Sequence, residues 1–163
     1  MRRTLRNRLS LFCVVVALVA AVLWLGWRDQ QRAPVELTDL DADGITRIEL
    51  TIAQGTPQVF EKRDGHWWRL APTKMRGNDE RVQRLANLAA TPVSRWVPAG
   101  EFDPAKIGLT QPAATLMLDG VTLRYGALSA LDELRYVQVG ERVALVQRQY
   151  SPEITLAMKS VGD

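Results

Sequence analysis

The feature that most constrains this chain is an uncharged, apolar run at residues 9–27, with the sequence LSLFCVVVALVAAVLWLGW. As an α-helix this run extends about 28 Å, which is close to the ~30 Å hydrocarbon core of a bilayer. A helix satisfies its own backbone hydrogen bonds in lipid, so a single helix is enough to cross it. Trp24 and Trp27 lie near the far end, where amphipathic rings favour the membrane interface. The sequence therefore predicts a transmembrane anchor over residues 9–27.

The charge on either side of the anchor predicts its orientation. Residues 1–8 hold four arginines and no acid, whereas Asp29 dilutes the arginines that follow the run. By the positive-inside rule, residues 1–8 form a basic cytoplasmic tail and the rest of the chain is exported. A cleaved signal peptide is the alternative, but no small-x-small cleavage site follows the run, so we expect an uncleaved signal-anchor.

The exported part is expected to be one domain in the bacterial periplasm. Arginine outnumbers lysine by 17 to 4, which is typical of a GC-rich bacterial genome. We therefore expect the anchor to lie in the bacterial inner membrane and to cross it once. Residues 28–38 are predicted to be a tether and residues 39–163 a periplasmic domain. Four of the 21 basic residues precede residue 28 and all 18 acids follow it, so the domain is close to neutral. The basic overall composition therefore gives no reason to expect a nucleic-acid partner.

The hydrophobic pattern of residues 39–163 predicts an α+β fold of antiparallel β-meanders with two packing helices. Alternating residues predict strands at 48–52, 59–62, 66–70, 93–97, 114–118, 121–125, 135–139 and 142–146. Asp64-Gly65 predicts a hairpin turn, and Asn78 predicts the start of a helix that ends near Ala90. A second helix is expected after Ser151, although a strand there also fits the pattern. The order is compatible with duplication of a strands-then-helix unit over 45–90 and 114–160.

Three tryptophans of the domain are the large aromatic residues of interest, and two of them are candidate contact residues. Trp68 shares its predicted strand face with Leu70, so we expect Trp68 in the core. Trp67 lies on the opposite face, and Trp67 and Trp96 are the possible partner contacts because aromatic side chains anchor interfaces. Packing beneath a helix, or against the second half of the domain, is the alternative for Trp67.

No catalytic, cofactor-binding or metal-ligating residue is predicted. Residues 39–44, DLDADG, match the first half of an EF-hand loop, but Leu50 occupies the position of the bidentate glutamate, so we expect an acidic solvated turn and no calcium. His66 is the only histidine, and Cys13, the only cysteine, lies in the anchor, so zinc, disulfides and a thiolate site are not expected. No Gly-x-Ser-x-Gly motif accompanies His66.

Several short motifs, in this order, resemble the family catalogued as domain of unknown function 4340. The motif DGHWWRLAP at 64–72 carries most of the resemblance, supported by ITRIEL at 45–50, the helix from Asn78, GLTQP at 108–112 and RYV at 135–137. The resemblance covers about residues 37–150. It implies a membrane-tethered extracytoplasmic domain, often associated with ABC-2-type export systems, including those linked to gliding motility. It brings no catalytic residues.

Together these features predict a non-enzymatic, single-pass accessory or scaffold protein for an ABC-type exporter or related envelope assembly. The expected partners are the lipid bilayer and membrane proteins such as an ABC-type permease. A periplasmic module that binds a glycan or another small ligand is the alternative, and a deep pocket lined by Trp67 or Trp96 would favour it. A hydrolase that uses an acid pair such as Asp132-Glu133 is a third interpretation, favoured by carboxylates facing each other across a cleft.

Overall fold

The computed structural model describes Val19, residues 35–130 and residues 133–153. Within these ranges the chain forms nine β-strands, one complete α-helix and three short 3-10 helices. In chain order the elements are β1 (Arg47–Ile52), β2 (Gln58–Arg63), β3 (His66–Ala71), β4 (Met75–Arg76), α1 (Asp79–Ala86), β5 (Arg95–Pro98), β6 (Ala114–Leu118), β7 (Val121–Leu128), β8 (Leu134–Val139) and β9 (Arg142–Gln147). The 3-10 helices are Asn87–Ala90, Ala99–Glu101 and Arg148–Tyr150.

All nine strands belong to a single antiparallel sheet in the order β4-β3-β2-β1-β6-β7-β8-β9-β5. The centre is the β1–β6 pair, in which Leu50 lies opposite Leu116. One meander runs from β1 to the β4 edge, and a second runs from β6 to β9, where β5 adds the other edge. The predicted antiparallel meanders are therefore confirmed, with a larger share of strand than the sequence suggested.

The main core lies between one face of the sheet and α1. Alternate strand residues supply the sheet side, including the fully buried Ile48, Leu50 and Leu123, while Val82 and Leu85 supply the helix side. Burying one such aliphatic side chain contributes about 1.5–3 kcal/mol. We call this sheet face the helix face, and the opposite one the outer face.

The outer face is covered near β8 and β9 by a smaller cluster. Ile107 and Leu109, from the loop that precedes β6, pack with Val143, and the ring of Phe102 meets Tyr136 edge-on with centroids 5.4 Å apart. Residues 104–108 form turns. Near β2 and β3 the outer face carries the exposed ring of Trp68.

The hairpins and the helix start follow the predicted local chemistry. Asp64 and Gly65 both have positive φ (51° and 79°), as a type I′ turn requires, and Asp119-Gly120 repeats this with 44° and 95°. The side chain of Asn78 accepts the backbone N–H of Arg81 at 3.0 Å, which confirms it as the helix N-cap. The α-helix ends at Ala86 and continues as a 3-10 turn to Ala90.

The domain begins earlier than predicted. The N–H groups of Leu37 and Thr38 donate to the carbonyl oxygens of Thr91 and Ala89 at 2.9 and 3.0 Å, and Leu37 is buried. Residues 35–38, assigned to the tether from their composition, are therefore part of the compact unit that starts at Val35.

Two predicted helices fall outside the described residues. The anchor at 9–27 lies there except for Val19, and the final helix lies there beyond Pro152 and Glu153, which are helical. Within the part of the chain that is described, no helix is long and apolar enough to cross a membrane.

Candidate functional site

The two adjacent tryptophans of β3 face the opposite way from the prediction. Trp67 is 1% exposed and belongs to the main core, whereas Trp68 is 41% exposed on the outer face. The expectation that Trp68 is the core residue is wrong. A side chain as enclosed as Trp67 has almost no surface to offer a partner. Trp68 is therefore the candidate for the contact role that was expected of Trp67.

The start of α1 explains why Trp67 is the inner residue. The backbone N–H of Trp67 donates to Oδ1 of Asp79 at 2.6 Å, and its indole Nε1 donates to Oε1 of Gln83 at 3.3 Å. The N–H of Gly77 donates to the Trp67 carbonyl oxygen at 2.8 Å, and a Cβ at Gly77 would lie 2.9 Å from that oxygen. Lys62 lies over the ring, with Nζ 5.7 Å from the centroid. The helix is thereby fixed directly over Trp67.

Asp79 is the electrostatic centre of this junction. Its Oδ2 lies 2.8 Å from Nδ1 of His66 and 3.6 Å from Nη2 of Arg76. The hydrogen bond from the Trp67 N–H and then that from His66 lower the pKa of the Asp79 carboxyl below its ordinary value. His66 is thus part of a structural network at the β3–α1 junction, which is an ordinary role for a polar residue at a strand end.

An exposed apolar surface surrounds Trp68 at the β3–β4 edge of the sheet. Trp68 and Met75 are 41% and 50% exposed, and they are two of the exposed large apolar side chains among the described residues. They line a shallow cavity of about 370 Å³ together with Leu70 and the polar residues Arg63, Asp64, Arg69 and Lys74. We call these seven residues the Trp68 surface.

The charges of the Trp68 surface are mostly positive. Arg63 forms a salt bridge of 2.7 Å with Glu61, and this contact lowers the pKa of Glu61 and raises that of Arg63. Arg69 and Lys74 are the other two cations, against the single acid Asp64. An apolar centre with a cationic rim suits a partner that presents an apolar side chain beside acids.

Trp96, the other predicted contact residue, lies at the opposite edge of the sheet. It belongs to β5, and the guanidinium carbon of Arg142 lies 4.2 Å from its ring centroid, a cation–π distance. It lines a cavity of about 350 Å³ with Val121, Val139, Arg142 and residues 35–40. Its indole Nε1 is buried with no hydrogen-bond partner among the described residues.

The remaining sequence candidates are the acidic turn, whose Asp39 and Leu40 line the Trp96 cavity, and the acid pair Asp132-Glu133. The acidic turn is closed by the N–H of Asp43, which donates to Asp41 Oδ1 at 3.1 Å, and Asp43 Oδ1 accepts from Gln83 at 3.3 Å. Glu133 is exposed with a φ of 52°, and Asp132 lies outside the described residues. Within the described ranges, no group of three or more His, Cys, Asp or Glu side chains is placed to hold a metal ion.

Comparison with known proteins returns no match: no family model matches the chain, and no curated protein or solved structure is similar to it at a significant level.

Proposed function

We propose that this chain is a non-enzymatic, single-pass accessory or scaffold protein of the bacterial inner membrane, whose periplasmic domain binds a membrane-protein partner such as the permease of an ABC-type exporter. The anchor follows from the uncharged run at 9–27 and from the arginines before it. The exporter class follows from the resemblance to the domain of unknown function 4340 family. The observation that carries the binding role is the exposure of Trp68 and Met75 side by side.

The position of the Trp68 surface supports a protein partner. Tryptophan is the side chain most enriched at binding hot spots, and here it is exposed at the end of a sheet, not at its covered centre. The neighbouring edge strand, β4, is only two residues long, so it offers little backbone for the pairing of another strand. Binding through side chains of the Trp68 surface is thus favoured over strand addition.

The finer architecture that we propose is a duplicated unit behind one transmembrane helix. The two meanders leave the β1–β6 centre in opposite directions, and α1 follows the first of them. A second helix after Ser151 would follow the second meander in the same way. This arrangement extends the strands-then-helix pattern of the sequence over both halves.

A periplasmic binding module for a small ligand is the second candidate. The observation that favours it is the cavity lined by Trp96, which places an aromatic ring and the cation of Arg142 beside residues 35–40. This role predicts that a glycan or other small molecule protects the Trp96 indole from fluorescence quenching.

Purification of the tagged full-length chain from its native membranes tests the scaffold role. We expect a membrane transport protein to co-purify with the wild type, and the substitution Trp68→Asp to abolish this association without unfolding the domain. Leu128→Asp is the matched control, since Leu128 is another large apolar side chain of similar exposure, 38%, on β7. If the same proteins are recovered with all three chains, the Trp68 surface is not the binding site.

A further inference from the structure

A second cavity, on the helix face, shares Arg69 and Met75 with the Trp68 surface, and its other lining residues are different. It has a volume of about 420 Å³ and lies between β2, β3, β4 and the first turn of α1. The residues that give it its character are three arginines and three apolar side chains: Arg69, Arg76, Arg81, Phe60, Val82 and Leu85. We call it the arginine cavity.

The arginine cavity brings the cationic side chains of Arg69, Arg76 and Arg81 to one place. None of the described residues that line it is a carboxylate. Arg69 Nε donates to the carbonyl oxygen of Thr73 at 3.3 Å, and its Nη2 contacts the sulfur of Met75, and neither neutral group cancels its charge. Arg76 lies 3.6 Å from the Asp79 carboxylate, which is already hydrogen-bonded to the β3 backbone.

We propose that the arginine cavity binds the phosphate group of an organic phosphate, either a free molecule or a lipid headgroup. Guanidinium groups present fixed pairs of N–H donors that match phosphate oxygens, and their bonds to phosphate are charge-assisted. Because three guanidinium groups carry three positive charges, the cavity suits a phosphate dianion better than it suits a carboxylate ligand, which carries one negative charge. Phe60, Val82 and Leu85 lie beneath the cavity and are buried in the main core, so the arginines carry the proposed binding.

This inference goes beyond the scaffold role, and the two are separable. Arg81 belongs to α1 and is not part of the Trp68 surface, whereas Trp68 does not line the arginine cavity. Arg81→Gln therefore tests phosphate binding alone, and Trp68→Ala tests the protein contact alone.

Isothermal titration of the full-length chain in neutral detergent micelles, at constant ionic strength, provides the test. The probes are inorganic phosphate, phenyl phosphate, and mixed micelles that contain phosphatidic acid. We expect the wild type to bind at least one probe with a dissociation constant below about 1 mM. Arg81→Gln and Arg69→Gln, which lie in different elements, are each expected to weaken binding about tenfold, because each removes a charge-assisted bond.

The controls decide whether the effect is specific. Arg95→Gln, an exposed arginine at the other edge of the sheet, and Trp68→Ala should leave the affinity unchanged. Binding of phenyl or inorganic phosphate assigns the cavity to a free ligand, and binding of phosphatidic acid micelles alone assigns it to a lipid headgroup. The inference is overturned if no probe binds the wild type, if Arg81→Gln binds as the wild type does, or if Arg95→Gln weakens binding as much as Arg81→Gln.

Discussion

The backbone N–H of Trp67 donates to Oδ1 of Asp79 at 2.6 Å, so the third strand of the sheet is fixed to the first turn of the helix that covers it. The bond joins residues 12 positions apart and lies beside the contact of Gly77 with the Trp67 carbonyl oxygen. Both backbone groups of Trp67 are thereby engaged by the segment that leads into α1. The side chain of Trp67 points under the helix, and that of its neighbour Trp68 points away from it.

Substitution of the two tryptophans should have unequal effects on stability. Trp67→Ala removes a buried ring from the core and should lower the free energy of unfolding by about 3–5 kcal/mol. Trp68→Ala removes an exposed ring and should change it by less than about 1 kcal/mol. Denaturant unfolding of both full-length variants measures the difference. A larger loss with Trp68→Ala would mean that the register of β3 is shifted by one residue.

Asp79 should make the domain sensitive to acid. Its pKa is lower in the folded protein than in the unfolded chain, chiefly because it accepts the Trp67 N–H and contacts His66. Its contribution to stability is therefore fully present above the ordinary carboxyl pKa and is lost as the pH falls through the lowered value. Asp79→Asn should reduce stability at neutral pH and flatten the fall of the melting temperature in the acid range.

The control for this prediction is Glu101→Gln, which neutralises an exposed acid in the short 3-10 helix after β5. This variant should keep the wild-type dependence of melting temperature on pH. If the melting temperature falls equally steeply with decreasing pH in the wild type and in Asp79→Asn, the Asp79 contacts are not the cause of the acid sensitivity.

The hydroxyl of Tyr125 should be dispensable for stability. Tyr125 is fully buried, its hydroxyl has no hydrogen-bond partner among the described residues, and burial raises the pKa of the phenol despite the nearby charge of Arg135. A buried hydroxyl without a partner costs about 1–3 kcal/mol. Tyr125→Phe should therefore leave the free energy of unfolding unchanged or raise it by about 1 kcal/mol. A loss of more than about 1 kcal/mol in denaturant unfolding would contradict this.

Local sequence chemistry predicted much of the sheet. The turns at Asp64-Gly65 and Asp119-Gly120 need positive φ, which short polar residues and glycine allow, so both hairpins were identifiable without tertiary information. The cap at Asn78 is equally local. β4 was missed because a two-residue strand is too short to show a period of two.

The inner face of β3 was predicted wrongly because the apolar neighbour Leu70 favours the Trp68 side as the core. Alternation is symmetrical, so it shows that Trp67 and Trp68 face opposite ways but not which of them is inside. The contacts that decide it come from Asp79 and Gly77, which lie outside β3 and so have no part in its alternation. The inward-facing Arg69 lies at the arginine cavity instead of the core, so its charge did not exclude that face. The Trp68 surface and the arginine cavity both depend on this register.

The most direct test of the proposed function is site-specific photo-crosslinking from position 68 in intact membranes. A benzoylphenylalanine residue replaces Trp68 in the full-length chain, and a second variant carries it in place of Gln147, an exposed residue of β9. We predict a discrete crosslink to a membrane-protein partner from position 68 that is absent from position 147, and its loss when Met75→Glu is added. A crosslinking pattern that is the same from both positions, or unchanged by Met75→Glu, would contradict a partner-binding role for the Trp68 surface.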